Sequence, residues 1–409
     1  MIYTKPWKRN SFLSLLKYCR DLIPAIWPGR FPRLLRRVLL GFQPDFAFIV
    51  HPRRKEDIFR ACGFFGPVRS ILGRRFYKLL SFLPPVILGR IETPGGITGI
   101  VITSTWLPEQ LLSGGRKTLL EGRRCLRMAA KLIDESQPIG LGGWWPIVTR
   151  RGLALREYAA GNLRVKITNG HCGTLCSLVL SIEKIATAAN LKVSDLSIFI
   201  LGAGRMGSNV ARALNGRVKK ITLFDKNRVK VERTVRELST LGSSTQICQV
   251  SGSVSDAKRV LVEHHLCICS TSNVSRLIQP DQLPNSIVVL DDSRPEAFPR
   301  LCDLSRNIIV IEGGLLKIRG SRSDYDFGFG RDENVFGCLA EAYLLARSKG
   351  NGLLPTVGDV DLQNFSRMLA MLDKYSVSVG DFRSGSRRVN QNWLGTIVRA
   401  KQDLSKAET

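Results

Sequence analysis

The stretch that most constrains the fold is a short apolar run followed at once by a glycine turn. The run covers residues 196–201, and the next six residues are Gly202, Ala203, Gly204, Arg205, Met206 and Gly207. A strand, a glycine turn and a helix in this order are typical of a dinucleotide-binding fold. There the first glycine permits the turn, the second lets a pyrophosphate approach the backbone, and the third lets the helix pack on the strand. The N–H groups at the start of that helix bind phosphate. We therefore predict that all six residues contact a cofactor.

The next predicted strand bears on which dinucleotide is bound. It covers residues 220–224 and ends at Asp225, where an acidic residue holds the ribose diol of NADH and repels the 2′-phosphate of NADPH. Lys226 and Arg228 follow at once, and their side chains instead favour NADPH because they can bind that phosphate. These residues therefore do not decide between NADH and NADPH.

Three further predicted strands complete a βαβ series at residues 266–269, 286–290 and 308–311. Ligands bind at the carboxyl ends of strands in such sheets. The small and polar residues there make Ser270, Thr271 and Gly313 candidate cofactor contacts. The predicted fold class is α/β: a Rossmann-type doubly wound nucleotide domain, an N-terminal mixed α/β substrate domain and a C-terminal helical segment.

Changes in composition divide the chain into five predicted parts. These are a basic amphipathic extension (1–44), the mixed α/β substrate domain (45–165), the Rossmann domain (166–325), a helical segment with a candidate nucleophile (326–383) and a basic polar tail (384–409). No apolar run approaches the roughly 20 residues that span a bilayer, and the first residues lack the pattern of a secretory signal. We expect a cytoplasmic protein, either free or bound to a membrane surface.

The net charge of +27 points to an anionic partner. Residues 1–90 alone carry 18 Lys and Arg against 4 Asp and Glu. An anionic membrane surface bound by residues 1–44 and an acidic carrier protein both fit this charge. Nucleic acid is not expected, because the basic stretches lack a recognised reading module. The alternative for residues 1–44 is that their helices pack on the body of the protein itself.

The histidine and cysteine residues do not predict a metal site. His171, Cys172 and Cys176 lie within six positions but lack the second half of a closed zinc site. His264 and His265, which precede a strand, are expected at the surface.

Cys338 is the candidate catalytic residue. Asp332 or Asn334 can cap a helix that places Cys338 in its first turns. A helix N-terminus stabilises a thiolate and lowers the pKa of a cysteine placed there. The alternative is that Cys338 is a small buried residue, which is a common role for cysteine.

Several motifs occur in the same order as in one enzyme family. They are Thr105 to Glu109, Leu141 to Trp144, Thr168 to Gly170, the glycine turn, Glu312 to Gly314, and Cys338 to Ala342. Across about residues 46–382 the chain resembles the cyanobacterial long-chain acyl-(acyl-carrier-protein) reductases, which form fatty aldehydes. The resemblance implies that Cys338 takes an acyl group from an acyl carrier protein or acyl-CoA, and that NADPH then releases the aldehyde. It also implies a substrate site at Leu141, Gly142, Gly143, Trp144, Thr168, Asn169, Gly170 and His171.

Departures from the family leave other functions open. The form of the glycine turn, Asp225 and His171 all differ from the family's usual residues. A dehydrogenase acting on a hydroxy or amino acid shares the same two-domain layout. A nucleotide-binding protein without catalytic activity, held at a membrane by its N-terminus, is a third hypothesis. Trp144 and Trp145 either wall a substrate pocket or form a packing turn.

Overall fold

The computed structural model describes residues 11–250, 253–272, 278–293, 296–299, 301–328 and 333–407, so Asp332 and the first ten residues lie outside it. The helices, in chain order, are α1 (Ser11–Ile26), α2 (Arg33–Leu40), α3 (Lys55–Ala61), α4 (Phe65–Leu72), α5 (Arg75–Leu80), α6 (Pro108–Ser113), α7 (Arg116–Leu132), α8 (Trp145–Val148), α9 (Leu153–Asn162), α10 (His171–Ala188), α11 (Arg205–Leu214), α12 (Arg228–Thr240), α13 (Val254–Leu261), α14 (Gly337–Arg347), α15 (Leu362–Lys374) and α16 (Gln391–Ala407). The strands are β1 (Phe46–Val50), β2 (Val86–Glu92), β3 (Thr98–Thr103), β4 (Pro138–Leu141), β5 (Lys166–Thr168), β6 (Ser197–Leu201), β7 (Lys220–Phe224), β8 (Gln246–Gln249), β9 (Leu266–Cys269), β10 (Ile287–Asp291), β11 (Cys302–Asp303), β12 (Ile308–Glu312), β13 (Leu315–Ile318), β14 (Arg322–Ser323), β15 (Asn334–Phe336), β16 (Val377–Val379), β17 (Arg383–Ser384) and β18 (Arg387–Arg388).

One compact unit, here called the amino-terminal unit, is assembled from three chain segments. They are the residues up to Gly170, Arg319–Tyr325 and Cys338–Asp359. Its sheet has the order β14-β2-β3-β1-β4-β5. Strands β3, β1, β4 and β5 run parallel, so their carboxyl ends meet at one edge. Helix α7 buries its apolar side in the core of this unit through residues such as Cys125, Leu126 and Leu132.

The other compact unit, here called the nucleotide unit, contains His171–Ile318, Asp326–Gly337 and the residues from Val360 onward. Its main sheet has the order β11-β12-β10-β9-β6-β7-β8. All neighbours pair in parallel except β11, a short antiparallel edge strand. Numbered from β6, the parallel strands follow the order 3-2-1-4-5-6 that defines the Rossmann fold. The predicted α/β, doubly wound fold class is confirmed.

The two units do not follow the predicted part boundaries. The stretch 326–383, predicted as one helical segment, is shared between both units and also contains strands β15 and β16. The stretch 384–409, predicted as a polar tail, contains helix α16, which packs on α10. Gly395 makes this packing close, since a Cβ there would meet the carbonyl of Ala188. Leu394, Ile397 and Val398 are buried on the same helix, so this basic stretch packs on the nucleotide unit and is not a free polar tail.

The described part of the predicted extension, residues 11–44, forms α1 and α2 on the amino-terminal unit. Lys131 on α7 donates to the carbonyl of Trp27 at 2.5 Å, and Phe31 is buried in the core of the unit. These helices therefore do pack on the protein's own body. Among the residues that the structure describes, no helix is long and apolar enough to cross a membrane.

Candidate active site

The glycine turn has the geometry that its sequence predicts. Gly202 adopts φ +106°, a left-handed conformation that favours glycine, and a Cβ there would lie 2.7 Å from the carbonyl oxygen of Ser270. A Cβ at Gly207 would collide with the carbonyl oxygen of Gly202, so this glycine lets α11 pack against the turn. A Cβ at Gly204 would meet no atom within 4 Å. The backbone at Gly204 is therefore open to a ligand just before the N-terminus of α11.

Asp225 supports the turn from the end of β7. Its Oδ2 accepts a hydrogen bond from the N–H of Ala203 at 2.9 Å, and its Oδ1 accepts one from the N–H of Asn227 at 2.8 Å. The carboxylate thus lies beside the glycine turn. The neighbouring basic residues are exposed, and Arg228 forms an ion pair of 2.6 Å with Glu232 on its own helix.

The other predicted cofactor contacts lie at neighbouring strand ends. Ser270 and Thr271 follow β9, and the Thr271 N–H donates to Ser293 Oγ at 3.0 Å. Gly313 follows β12, where a Cβ would lie 3.0 Å from the nitrogen of Asp292. The hydroxyl oxygen of Ser270 is buried and has no hydrogen-bond partner among the described residues. An orphan hydroxyl beside an open glycine turn fits a dinucleotide, whose phosphates and ribose hydroxyls accept and donate hydrogen bonds.

The structure places Cys338 in the first turn of α14, as predicted. It is partly exposed, whereas burial raises the pKa of the Cys125, Cys267 and Cys269 thiols above the ordinary range. A partly exposed thiol at a helix N-terminus is better suited to nucleophilic attack than a buried one. Cys338 follows Gly337 in the chain, and the Gly337 N–H donates at 2.7 Å to the carbonyl of Gly314, just after β12.

Gly170 lies directly against Cys338. It adopts φ +72°, and a Cβ built on it would lie 2.5 Å from the Cα of Cys338 and overlap its Cβ. Only glycine meets both the backbone conformation and the space. The Thr168–Gly170 motif and the cysteine motif, which the family resemblance assigns to a substrate site and a nucleophile, are therefore in backbone contact within the amino-terminal unit.

A buried carboxylate fixes that contact. Glu341, one turn after Cys338 on α14, is fully buried, and its Oε1 accepts hydrogen bonds from Thr168 Oγ1 and, at 3.1 Å, from the Thr356 N–H. Thr168 Oγ1 in turn accepts from the Gly170 N–H at 3.2 Å. Asn169 completes the loop, because its Nδ2 donates to the carbonyls of Arg151 and Gly358 at 3.1 and 2.9 Å. Glu341 therefore acts as a positioning residue for the Gly170 loop, a role that its sequence did not predict.

The loop after β4 is held by a histidine that sequence reasoning missed. His51 Nε2 accepts from the Trp144 N–H at 2.9 Å, while Nδ1 pairs with the Pro52 carbonyl at 2.9 Å. Desolvation by burial lowers the pKa of His51 to about 4, so the ring is neutral near pH 7. A Cβ at Gly143 would lie 2.6 Å from His51 Nε2, which explains why a larger residue does not fit at this position. Gly142 is similarly required because a Cβ there would meet the ring of Phe48 at 2.5 Å.

The Trp144 and Trp145 side chains do not wall a pocket. They are 1% and 0% exposed and belong to the core of the amino-terminal unit. Leu141 is buried in the same core. The segment 141–144 therefore contributes only backbone at the sheet edge, at Gly142 and Gly143. His171 begins helix α10 of the nucleotide unit and is partly exposed.

A small pocket with a cavity volume of about 50 Å³ lies at the same edge of the amino-terminal sheet. Its walls are mainly apolar and include Ile58, Phe65 and Leu88, while His51, Ser104 and Thr105 supply polar groups. His51 follows β1, and Ser104 follows β3, so the pocket lies over the carboxyl ends of these strands. The sequence signal that could have found it is the set of polar residues directly after β1 and β3.

Comparisons with known proteins give only distant similarities. No protein-family model matches the sequence, and no curated protein is similar to it. A solved structure of a probable ornithine cyclodeaminase from Bordetella pertussis Tohama I is 17% identical, with a TM-score of 0.20; the match covers 27% of this chain and 34% of that one. A shikimate dehydrogenase in complex with NADP+ is 14% identical over 81% of this chain and 96% of that one, with a TM-score of 0.34. L-tryptophan dehydrogenase from Nostoc punctiforme is 11% identical over 89% of each chain, with a TM-score of 0.33. Similarity at this level does not define a function for this chain.

Proposed function

We propose that the protein is an oxidoreductase that uses a nicotinamide dinucleotide. The observation that carries this proposal is the open glycine turn at Gly204, placed between β6 and α11 of a sheet with Rossmann strand order. Asp225 beside the turn and the orphan Ser270 hydroxyl support it. Gly202 to Gly207 would hold the pyrophosphate, and Asp225 would hold the ribose of the adenosine half.

We further propose that the reaction is reduction of an acyl thioester to an aldehyde through Cys338. The supporting observation is that a partly exposed cysteine stands in the first turn of α14 with a glycine backbone against it. The positive end of the helix favours the thiolate form.

Cys338 takes part in both halves of the proposed reaction. The Cys338 thiolate attacks the thioester carbonyl, the bond to the carrier sulfur breaks, and the carrier leaves as a thiolate. The product of this half is an acyl group bound to Cys338 through a new thioester. When bound, the reduced nicotinamide supplies the hydride for the acyl carbon. Cys338 then leaves as a thiolate when the aldehyde forms, which returns the residue to its starting state.

The pocket at the sheet edge suits the apolar part of such a substrate. Cys338 contacts Gly170 at the end of β5, whereas the pocket lies over β1 and β3. Strand β4 separates β1 from β5, so the pocket begins about 10 Å from Cys338 along the edge, given roughly 4.8 Å per strand.

The charge of the chain supports a carrier that is itself anionic. An acyl carrier protein and coenzyme A are both negatively charged, and the protein carries a net charge of +27. Both are therefore candidate carriers, and the cofactor is proposed as NADPH, with NADH as the alternative that Asp225 favours.

Intact-protein mass spectrometry after mixing with acyl thioesters tests the mechanism. We expect a mass gain equal to one acyl group, absent in Cys338→Ser and cleared by NADPH or NADH with release of aldehyde. Cys19→Ser is the matched control, because Cys19 is exposed and lies on α1. Parallel reactions with acyl-CoA and an acyl carrier protein identify the carrier. A mass gain that persists in Cys338→Ser, or aldehyde formation that does not need Cys338, would contradict the covalent mechanism.

A dehydrogenase acting on a hydroxy or amino acid is the second candidate. It is favoured by the polar groups of the pocket, including Asp57 and Ser104, and by the burial of both tryptophans in the core. It predicts that Cys338→Ser retains turnover and that nicotinamide is reduced by a small polar substrate without acyl transfer. Screening hydroxy and amino acids with both proteins separates the two candidates.

A further inference from the structure

Helix α2 packs on the amino-terminal unit through Arg36, Leu39 and Leu40 and exposes two other apolar residues. Arg36, in the middle of the helix, is only 1% exposed, whereas Leu34 and Val38 are 74% and 76% exposed. In an ordinary surface helix the apolar side faces the core and the charged side faces water. Here Arg36, Leu39 and Leu40 face the body, while Leu34 and Val38, four positions apart, lie together on the outer face.

Charged contacts hold the helix in this orientation. Arg36 donates to Asp134 Oδ1 at 2.7 Å and to the carbonyl of Leu132 at 2.8 Å. Arg33 donates to both oxygens of Asp134, at 3.2 and 2.6 Å. Phe31, just before the helix, is buried in the core. The outward position of Leu34 and Val38 is thus specified by contacts on the opposite side of the helix.

Arg37 supplies the positive charge of this outer face. Residues 11–40 contain six Lys and Arg residues and one acidic residue, Asp21, and three of the arginines, Arg30, Arg33 and Arg36, are paired with Asp134 or Glu135. Arg37 is exposed beside Leu34 and Val38. At the end of α1, Ile26 is a further exposed apolar residue, at 76%. Exposed aliphatic side chains combined with arginine are the composition of helices that lie in the interface of an anionic bilayer.

We propose that α1 and α2 form a docking surface for an anionic lipid bilayer. Leu34 and Val38 enter the boundary between headgroups and acyl chains, and Arg37 binds lipid phosphates. This surface is independent of the reaction that the protein catalyses, since neither Leu34 nor Val38 belongs to the sites described above.

Vesicle sedimentation of the full-length protein tests the proposal. We expect binding to vesicles of phosphatidylcholine and phosphatidylglycerol in equal parts, and weaker binding to vesicles of phosphatidylcholine alone. The double variant Leu34→Ser, Val38→Ser should bind the anionic vesicles about tenfold less, because both inserting side chains are lost. Its unfolding midpoint should stay that of the parent, since both residues are exposed. Val229→Ser is the matched control, because Val229 is 72% exposed on α12 of the nucleotide unit.

Three outcomes would overturn the proposal. One is the absence of binding to anionic vesicles. Another is unchanged binding by the double variant, which would place any lipid contact elsewhere. The third is equal binding to neutral vesicles, which would remove the role of charge. If a purified acidic carrier protein binds the parent but not the double variant, and the vesicles bind neither, the surface serves a protein partner instead.

Discussion

Gly170 and Cys338 lie in backbone contact, although the whole nucleotide-binding series of strands separates them in the chain. Gly170→Ala should therefore destabilise the protein by roughly 2–5 kcal/mol, from the left-handed backbone and the overlap with Cys338 together. Gly96→Ala is the control, because Gly96 has a similar φ of +74° but open space around its Cβ position. It should lose only about 1–2 kcal/mol. Urea unfolding measures both variants, and equal losses would show that the contact with Cys338 is not tight.

Thr168→Val removes the hydroxyl that joins Glu341 to the Gly170 N–H. The buried carboxylate keeps only the Thr356 N–H among these contacts, so we expect a loss of about 1–3 kcal/mol. Because the Gly170 loop is then less fixed, the rate at which iodoacetamide alkylates Cys338 should also change. Thr168→Ser keeps the hydroxyl and should behave like the parent in both measurements. If the serine variant fails as the valine variant does, the methyl group rather than the hydroxyl matters.

The glycine turn predicts two different outcomes for similar substitutions. Gly204→Ala meets no neighbouring atom, and Gly204 has φ −70°, which alanine adopts readily, so the stability of the protein should not change. Its affinity for NADPH or NADH should fall about tenfold or more, because the added methyl group stands where the pyrophosphate approaches. Gly207→Ala collides with the Gly202 carbonyl and should lower stability as well. Fluorescence titration with the reduced dinucleotides and thermal unfolding separate the two effects.

Asp225→Asn tests the choice of cofactor. The asparagine oxygen can still accept from the Ala203 N–H, while the negative charge beside the ribose is lost. The ratio of NADPH affinity to NADH affinity should therefore rise by about tenfold, since repulsion of the 2′-phosphate disappears. An unchanged ratio would mean that Asp225 does not face the ribose.

His51 predicts an acid-sensitive amino-terminal unit. Its folded pKa of about 4 lies below the ordinary value of 6.5, so the unfolded state binds the proton more readily between these values. The stability from this residue is complete above pH 6.5 and is lost as the pH falls towards 4, by on the order of 3 kcal/mol. His51→Gln keeps a donor and an acceptor but does not titrate. Urea unfolding between pH 7 and pH 4 should show a flatter pH dependence for this variant than for the parent. His264, whose pKa burial lowers to about 4 in the nucleotide unit, should leave some dependence in both proteins.

Local pattern was enough to predict several elements to the residue. Strands β7 and β9 are mainly apolar runs followed by polar residues, and the structure gives them the predicted bounds. Cys338 lies in a first helical turn as predicted, but Asn334 does not cap the helix: it lies in β15, and α14 begins at Gly337. Burial and partners could not be predicted this way. His264 and His265, expected at the surface, are buried because Thr222, Ser197 and Gln402, distant in the sequence, provide hydrogen-bond partners. The buried role of Glu341 likewise depends on Thr168, which no local spacing connects to it.

Because the amino-terminal unit contains three separate chain segments, it can be completed only late in synthesis. A ribosome makes β1 to β5 first, yet edge strand β14 and helix α14 follow only after the strands of the main nucleotide-unit sheet. The contact that requires glycine at position 170 is therefore missing until Cys338 emerges. A nascent chain that stops before that point carries a finished dinucleotide fingerprint but no candidate nucleophile. In this way chain order delays chemical reactivity until the cofactor-binding strands have been made.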